Sequence, residues 1–396
     1  MDQARVKAFK NLNIPEGNKT ILCLDGGGIR GILTIQLLKK LEEAAGIPCY
    51  ELFDFVAGTS TGGIIAGLIA TKHTAVQIED FYDSNVKPIF TPRNIFSNRT
   101  IFIPQFNKKN YHAILKGVIQ DATLQQTCDA TNIDLMITSK DVTEGEETFF
   151  SYFRGRKQNT YGGVLVRAAM EATMSAPTYF RPFEWFVDGG TTTFNNPSMA
   201  AIIEACQYGP EGPETANKPV YALNQLSVLS FGTGCSLRSL DPKKAMDGMA
   251  AWNWLSWLMS ENGDDSSDMQ TDFLRADKLN PGLDYRRFQT GLDGPDLANL
   301  KANTQLQFED KVEQQFSQVV NGQITDMDMA DLNFYDISKA IGQLVVEKIT
   351  AIQGEKPFSR DLVDDSGREW LVGHRGDVTM IEANLSNPSW VDGVES

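Results

Sequence analysis

Histidine is nearly absent from this chain: 396 residues contain only His73, His112 and His374. Any chemistry that relies on imidazole, as a metal ligand or as the base of a catalytic triad, therefore has few candidates. The five cysteines (Cys23, Cys49, Cys128, Cys206, Cys235) are odd in number, scattered, and form no C-x-x-C. That pattern speaks against a disulfide framework and against a thiolate zinc site. No apolar run reaches the roughly 18 residues that a membrane-spanning helix needs. The opening stretch "MDQARVKAFKNLNIPEG" lacks the apolar h-region of a signal peptide. The expectation is a cytoplasmic protein without signal peptide or transmembrane segment. Positive charge is also short, with 36 Lys and Arg against 51 Asp and Glu, a net charge of −15. Such a balance repels phosphate backbones and weighs against nucleic acid as a partner. It also weakens simple polybasic adsorption to anionic lipid.

Apolar residues make up 41% of the chain, enough for a full core. Their arrangement alternates between short apolar runs and helical periodicity. "TILCLDGGGIRG" passes from a strand into a glycine turn. The following "ILTIQLLKKLEEAAG" is apolar at helical spacing and ends at Gly46, a natural C-cap. "LFDFVAGTSTGGIIAGLIATK" repeats the strand–turn–helix design. Further strands are expected at 133–139, 147–153, 183–187 and 226–232. This alternation predicts an α/β fold with a mainly parallel central sheet. Loops at the strand ends are then the places for chemistry.

Three glycine-rich stations stand at such ends. "DGGGIRG" (Asp25–Gly31) formally fits the G-x-G-x-x-G fingerprint of a dinucleotide site, but consecutive glycines can equally aim N–H groups at one point as an oxyanion hole. A third reading is a tight turn. The second station, Gly58-Thr59-Ser60-Thr61-Gly62, fits G-x-S-x-G and presents a serine between an apolar strand and an apolar helix. In the third, "FVDGGTTTFNNPSMAAIIEA", Asp188 precedes Gly189 and Gly190. It reads either as a functional carboxylate or as a turn aspartate bonding its own backbone. Asn196 and Pro197 suit the cap and first position of the next helix.

Taken in order, "DGGGIRG", "GTSTGG" and "DGG" resemble the patatin-like phospholipase family, related to calcium-independent phospholipases A. "MSAPTYFRPF", "LSFGTG" and "DMDMADLNFYDISKAIGQLV" support the resemblance, which runs from about residue 20 to 350. It implies a three-layer α/β/α sandwich and a lipid acyl hydrolase that needs no metal or other cofactor. It further implies Ser60 as nucleophile and Asp188 as general base, with Gly26, Gly27, Gly28 and Arg30 as the oxyanion hole. Gly31, Gly58, Gly62, Gly189 and Gly190 are the accompanying motif glycines. The expected partner is a phospholipid or other glycerolipid at a membrane interface, met by transient association, and an unidentified activator is compatible with the family. The domains expected are an arm at 1–19, a catalytic domain at 20–350 with its motif-bearing core at 20–205, and an extension at 351–396. A Ser60–Asp188–His374 triad of α/β-hydrolase order remains the rival, as do a nucleotide-binding enzyme and a non-catalytic regulatory member.

Two segments suggest contact with lipid. Residues 84–120 contain no Asp or Glu but carry Lys87, Arg93, Arg99, Lys108, Lys109 and Lys116, with Phe90, Phe96, Phe102, Phe106 and Tyr111 interleaved. They read as an interfacial patch or as a structured insertion whose aromatics are core. "MAAWNWLSWLMS" (249–260) is a lid, an interfacial anchor or a packing helix.

Overall fold

The strand β1 (Lys19–Leu24) is buried along its whole length, as a strand covered on both faces must be. It lies at the middle of a mainly parallel sheet in a computed structural model that describes residues 2–91, 106–154, 160–208, 221–235, 263, 265–302, 304–324 and 327–362. Around it, in chain order, are α1 (Gln3–Asn11), α2 (Gly31–Ala45), α3 (Cys49–Leu52), β2 (Phe55–Gly58), α4 (Thr61–Ala70), α5 (Ala75–Ile89) and α6 (Lys108–Ile119). There follow α7 (Leu124–Thr131), β3 (Asp134–Asp141), β4 (Glu147–Tyr152), α8 (Val166–Thr173), β5 (Phe186–Asp188), α9 (Ser198–Tyr208), β6 (Leu226–Phe231), β7 (Asp284–Phe288) and the long helix Tyr335–Gln353.

The sheet order is β4-β3-β2-β1-β6-β7, with β5 pairing off this path against β3. β1, β2, β3, β6 and β7 run parallel in their pairings, while β4 and β5 pair antiparallel with β3. Strand alternation then sorts side chains onto two faces. Leu22, Leu24, Val56, Leu135, Ile137, Leu229 and Phe231 join a large core with residues of α2, α4, α5, α8 and the helix Tyr335–Gln353. Ile21, Cys23, Phe55, Ala57, Met136, Leu226 and Val228 face the other way and pack with Ala200, Ala201, Ile202 and Ala205 of α9. Helices on both faces of one sheet make the three-layer α/β/α sandwich.

Gly46 ends α2 in the left-handed conformation at φ 75°, its N–H donating to Glu42 O. The compact unit runs from Met1 to Leu362, past both ends of the 20–350 domain expected from the sequence. At the N-terminal end the reason is α1, whose Ala8 and Phe9 are buried in the large core together with Leu12. At the other end Phe358 packs on Phe231 and Phe288, and the Leu362 N–H donates to Arg287 O at 3.2 Å. Among the described residues no helix is long and apolar enough to cross a membrane.

Candidate active site

Sheet register decides what meets Ser60. Leu24 of β1 is level with Gly58 of β2, so the glycine turn after β1 and the serine turn after β2 leave the sheet side by side. Gly58 is also level with Ile137 of β3, and β5 sets Asp188 opposite Ser139, two residues further along. Ser60 lies two residues beyond Gly58, so both side chains reach the same height above the sheet. The Ser60 hydroxyl donates to Asp188 Oδ2 at 2.6 Å.

Ser60 itself is held at φ 53° and ψ −124°, a backbone conformation that L-residues rarely adopt. The strain is fixed from both sides. The Ser60 N–H donates to Thr173 Oγ1 at 2.7 Å, and the Ser60 carbonyl accepts the Ile64 N–H at 3.1 Å. Gly62 lies in the first turn of α4, where a Cβ would meet the Leu24 and Asp25 carbonyl oxygens, and this close crossing lets the helix start directly under the serine. Gly58 closes β2 and Gly31 opens α2 against the side chain of Thr61. The N-termini of α2 and α4 therefore lie close together, and their partial positive charge favours an anion formed at Ser60.

Asp188 is only 4% exposed. Its Oδ1 accepts the Gly190 N–H at 2.7 Å, its own N–H donates to Ser175 O at 3.1 Å, and Gly189 with Gly190 forms the short 3₁₀ turn behind it. The turn contact expected of this aspartate is made by Oδ1, while Oδ2 accepts the Ser60 hydroxyl. Burial raises its pKa to about 6, against the lowering effect of the hydrogen bonds from Ser60 and Gly190. A carboxylate of that value is largely ionised at neutral pH and more basic than an exposed one.

The glycine turn needs one correction. The Gly26 N–H is not available to a substrate because it donates to Asn195 O at 3.2 Å. The N–H groups of Gly27 and Gly28 make no hydrogen bond among the described residues and remain candidates for oxyanion donors. Gly28 has φ 57°, and a Cβ there would meet the Met329 carbonyl oxygen, so this position requires glycine twice over. Arg30 closes the turn, its N–H donating to Gly27 O at 3.1 Å. Just before the turn, Asp25 forms a buried fork with Arg287 of β7, with Arg287 Nη1 2.8 Å from Asp25 Oδ1.

A narrow apolar pocket, partly open to solvent, adjoins the serine. Gly28, Thr61 and Met174 line it on that side. Ile64, Phe81, Tyr82, Val86, Ile89, Phe90 and Tyr111 form the rest. Met174 Sδ lies 3.8 Å from Ser60 Oγ, and the Tyr82 hydroxyl is bonded to Thr61, so the wall is tied to the serine turn.

The described histidines bond elsewhere. His73 follows the end of α4, its Nδ1 3.1 Å from both Thr71 Oγ1 and Leu68 O, and His112 pairs with Glu171 at 2.7 Å. His374 lies outside the described residues. Of the basic-aromatic segment, Phe90, Phe106 and Tyr111 are buried, and Phe90, Phe106 and Phe180 stack edge to face or tilted. These aromatics are core. Lys87, Lys109 and Lys116 remain exposed, whereas Arg93, Phe96, Arg99 and Phe102 lie outside the described residues, as does the tryptophan-rich stretch 249–260. Asn196 caps α9 as expected, accepting the Ser198 N–H at 3.0 Å. Sequence reasoning assigned no role to Thr173, Met174 or Asn195, and only the segment containing Met174 carried a signal, through the family resemblance.

A family profile described as "Patatin-like phospholipase" matches residues 22–202, which contain the glycine turn, Ser60 and Asp188. Residues 22–202 are a patatin-like phospholipase domain. The chain is 31% identical over 231 residues to the rat 85/88 kDa calcium-independent phospholipase A2, covering 54% of this chain and 27% of that protein. It is 29% identical over 219 residues to a cGAMP-activated phospholipase of Escherichia coli, covering 52% of this chain and 60% of the relative. With Patatin-like protein 2 of Arabidopsis thaliana the identity is 29% over 281 residues, covering 61% of this chain and 66% of the relative. The chain thus spans about a quarter of the rat phospholipase and under two thirds of the bacterial one.

Proposed function

We propose that this patatin-like domain hydrolyses carboxylic esters of glycerolipids through a Ser60–Asp188 dyad and an acyl-enzyme. The observation that carries the reading is the 2.6 Å hydrogen bond from the strained Ser60 hydroxyl to a buried carboxylate. With the acyl chain in the apolar pocket, the ester carbonyl lies over Ser60, and Asp188 takes the hydroxyl proton as Oγ attacks. The N–H groups of Gly27 and Gly28 and the two helix N-termini stabilise the resulting oxyanion, each donor being worth about 2.7–4 kcal/mol by analogy with other hydrolases. Protonated Asp188 then returns its proton to the departing alcohol oxygen. Water, deprotonated by the same carboxylate, releases the fatty acid. The apolar lining beside Ser60 supports an apolar acyl group over a polar one.

Since Asp188 must be unprotonated to act, activity rises with pH through its pKa. The acidic limb of kcat/KM is expected near pH 6. A limb near the ordinary carboxylate value of about 4 would contradict the role given to burial. The function itself is tested by incubating the full chain with mixed lipids and identifying products by mass spectrometry, beside Ser60→Ala. The E. coli relative is by name activated by cGAMP, so the assay is run with and without that dinucleotide. Fatty acid release that depends on Ser60 supports the reading, and its absence under both conditions would count against it.

A further inference from the structure

Two buried threonines stand where the turns that carry Ser60, Asp188 and the glycines come together. Thr59 immediately precedes Ser60, and its N–H donates to Leu24 O at 3.1 Å. Thr138 lies in β3 next to Ser139, which is level with Asp188 of β5. The two hydroxyl oxygens are 2.7 Å apart. Thr59 Oγ1 also lies 2.7 Å from Phe194 O, in the segment between β5 and α9. Both threonines are almost wholly removed from solvent, at 0% and 1% exposure, and neither takes part in the proton transfers set out above.

The direction of the two bonds follows from the protons on hand. A threonine hydroxyl has one proton, and a backbone carbonyl only accepts. Thr59 therefore donates to Phe194 O, and Thr138 supplies the proton shared between the hydroxyls. The result is an ordered relay from Thr138 through Thr59 to Phe194. Each of its members touches a different part of the site. A Cβ on Gly189 would collide with Thr138 Oγ1 and with the Thr138 carbonyl, so the turn behind Asp188 rests directly on Thr138. The relay meets the glycine turn at its other end, because the carbonyl next to that of Phe194, on Asn195, takes the Gly26 N–H at 3.2 Å. Thr59, in the middle, holds the approach to the strained Ser60.

We propose that the Thr59–Thr138 hydroxyl pair positions the dyad, fixing the spacing between the serine turn, the turn of Asp188 and the glycine turn. The proposal rests on the hydrolase reading above. Two oxygens sharing a proton approach to 2.7 Å here, whereas a methyl group in place of one of them needs about 3.5 Å. Valine at either position keeps the β-branched shape but forces the joined segments apart by about 0.5 Å or more. A misplacement of about 1 Å in a catalytic constellation costs about 10²-fold in rate, so a shift of this size falls on turnover. Neither threonine lines the apolar pocket, so substrate affinity has no reason to follow.

The test measures kcat and KM for phospholipid hydrolysis by wild type, Thr59→Val, Thr138→Val, the double valine variant, Thr59→Ser and Thr138→Ser. Each single valine is expected to lower kcat by about ten- to hundredfold with KM little changed. The serine variants keep the hydroxyl and should retain most of the rate. Because the two hydroxyls act as one unit, the double variant should be about as slow as either single one. Thr138→Ala removes the hydroxyl without adding bulk and replaces the valine variant if that one does not fold, with the same fall expected. Folded valine variants with wild-type kcat would overturn the proposal. Serine variants as slow as the valine ones would assign the effect to packing of the methyl group and overturn it too. Losses that multiply in the double variant, or a rise in KM alone, would likewise contradict a joint positioning role. No Ser60-dependent hydrolysis by wild type would remove the hydrolase reading itself, and the positioning role with it.

Discussion

Ser60→Ala is expected to lower lipid ester turnover by about 10⁴-fold or more, because no acyl-enzyme can form without the hydroxyl. Asp188→Asn should lower kcat by about 10²–10⁴-fold, the usual worth of a general base. The asparagine variant is informative because it preserves shape. Its amide oxygen can still accept the Gly190 N–H that now reaches Oδ1, so the turn behind residue 188 has reason to persist. What the amide cannot do is take the serine proton. A fall in kcat with little change in KM or melting temperature is therefore the signature expected. The triad rival makes a different forecast, since it requires His374→Ala to be as damaging as Asp188→Asn.

The second large effect concerns stability. Arg287→Met should destabilise the protein by about 3–5 kcal/mol in urea unfolding, the usual cost of stranding a buried charge. Asp25 is 2% exposed and Arg287 4%. The guanidinium holds Asp25 in a two-pronged contact and also donates to Ser230 at 2.9 Å and Ser267 at 3.0 Å. Without it the carboxylate would sit unpaired at the root of the glycine turn. Replacing both partners removes the stranded charge, so Asp25→Asn combined with Arg287→Met should recover part of the loss. A single variant within about 1 kcal/mol of wild type would show the pair to be dispensable.

This ion pair also marks where sequence reading runs out. β1, β2, β3 and β6 are legible because they are apolar runs bounded by turn residues, and the structure places them close to the expected positions. β7 reads "DYRRF", which no hydrophobic pattern identifies as a buried strand. Its arginines are accommodated inside by carboxylates and carbonyls, most of them far away in the chain. Arg287 meets Asp25, while Arg286 bonds Asp284 and the carbonyls of Leu12, Asn13 and Phe358. Arm and tail residues thus belong to the compact unit for reasons that local pattern cannot carry.

The site divides in the same way. Ser60 announces itself through its motif between an apolar strand and helix. Asp188 does not, since a DGG turn is equally a self-bonding turn, and only the resemblance coupled it to Ser60 across 128 residues. Register supplies the physical link, through β3 shared by β2 and β5. The expected donor role of Gly26 failed because a glycine turn says how many N–H groups exist, not which are already taken. The carbonyl of Asn195, 169 residues further along the chain, takes that one.

The central claim is that Ser60 carries the acyl group. Wild-type protein mixed briefly with a phospholipid, quenched in acid and digested, should yield the Ser60 peptide with the mass of one fatty acyl chain added. The adduct should be missing from Ser60→Ala and much slower to form in Asp188→Asn. An acyl group on a different residue, or undiminished lipid hydrolysis by Ser60→Ala, would contradict the account.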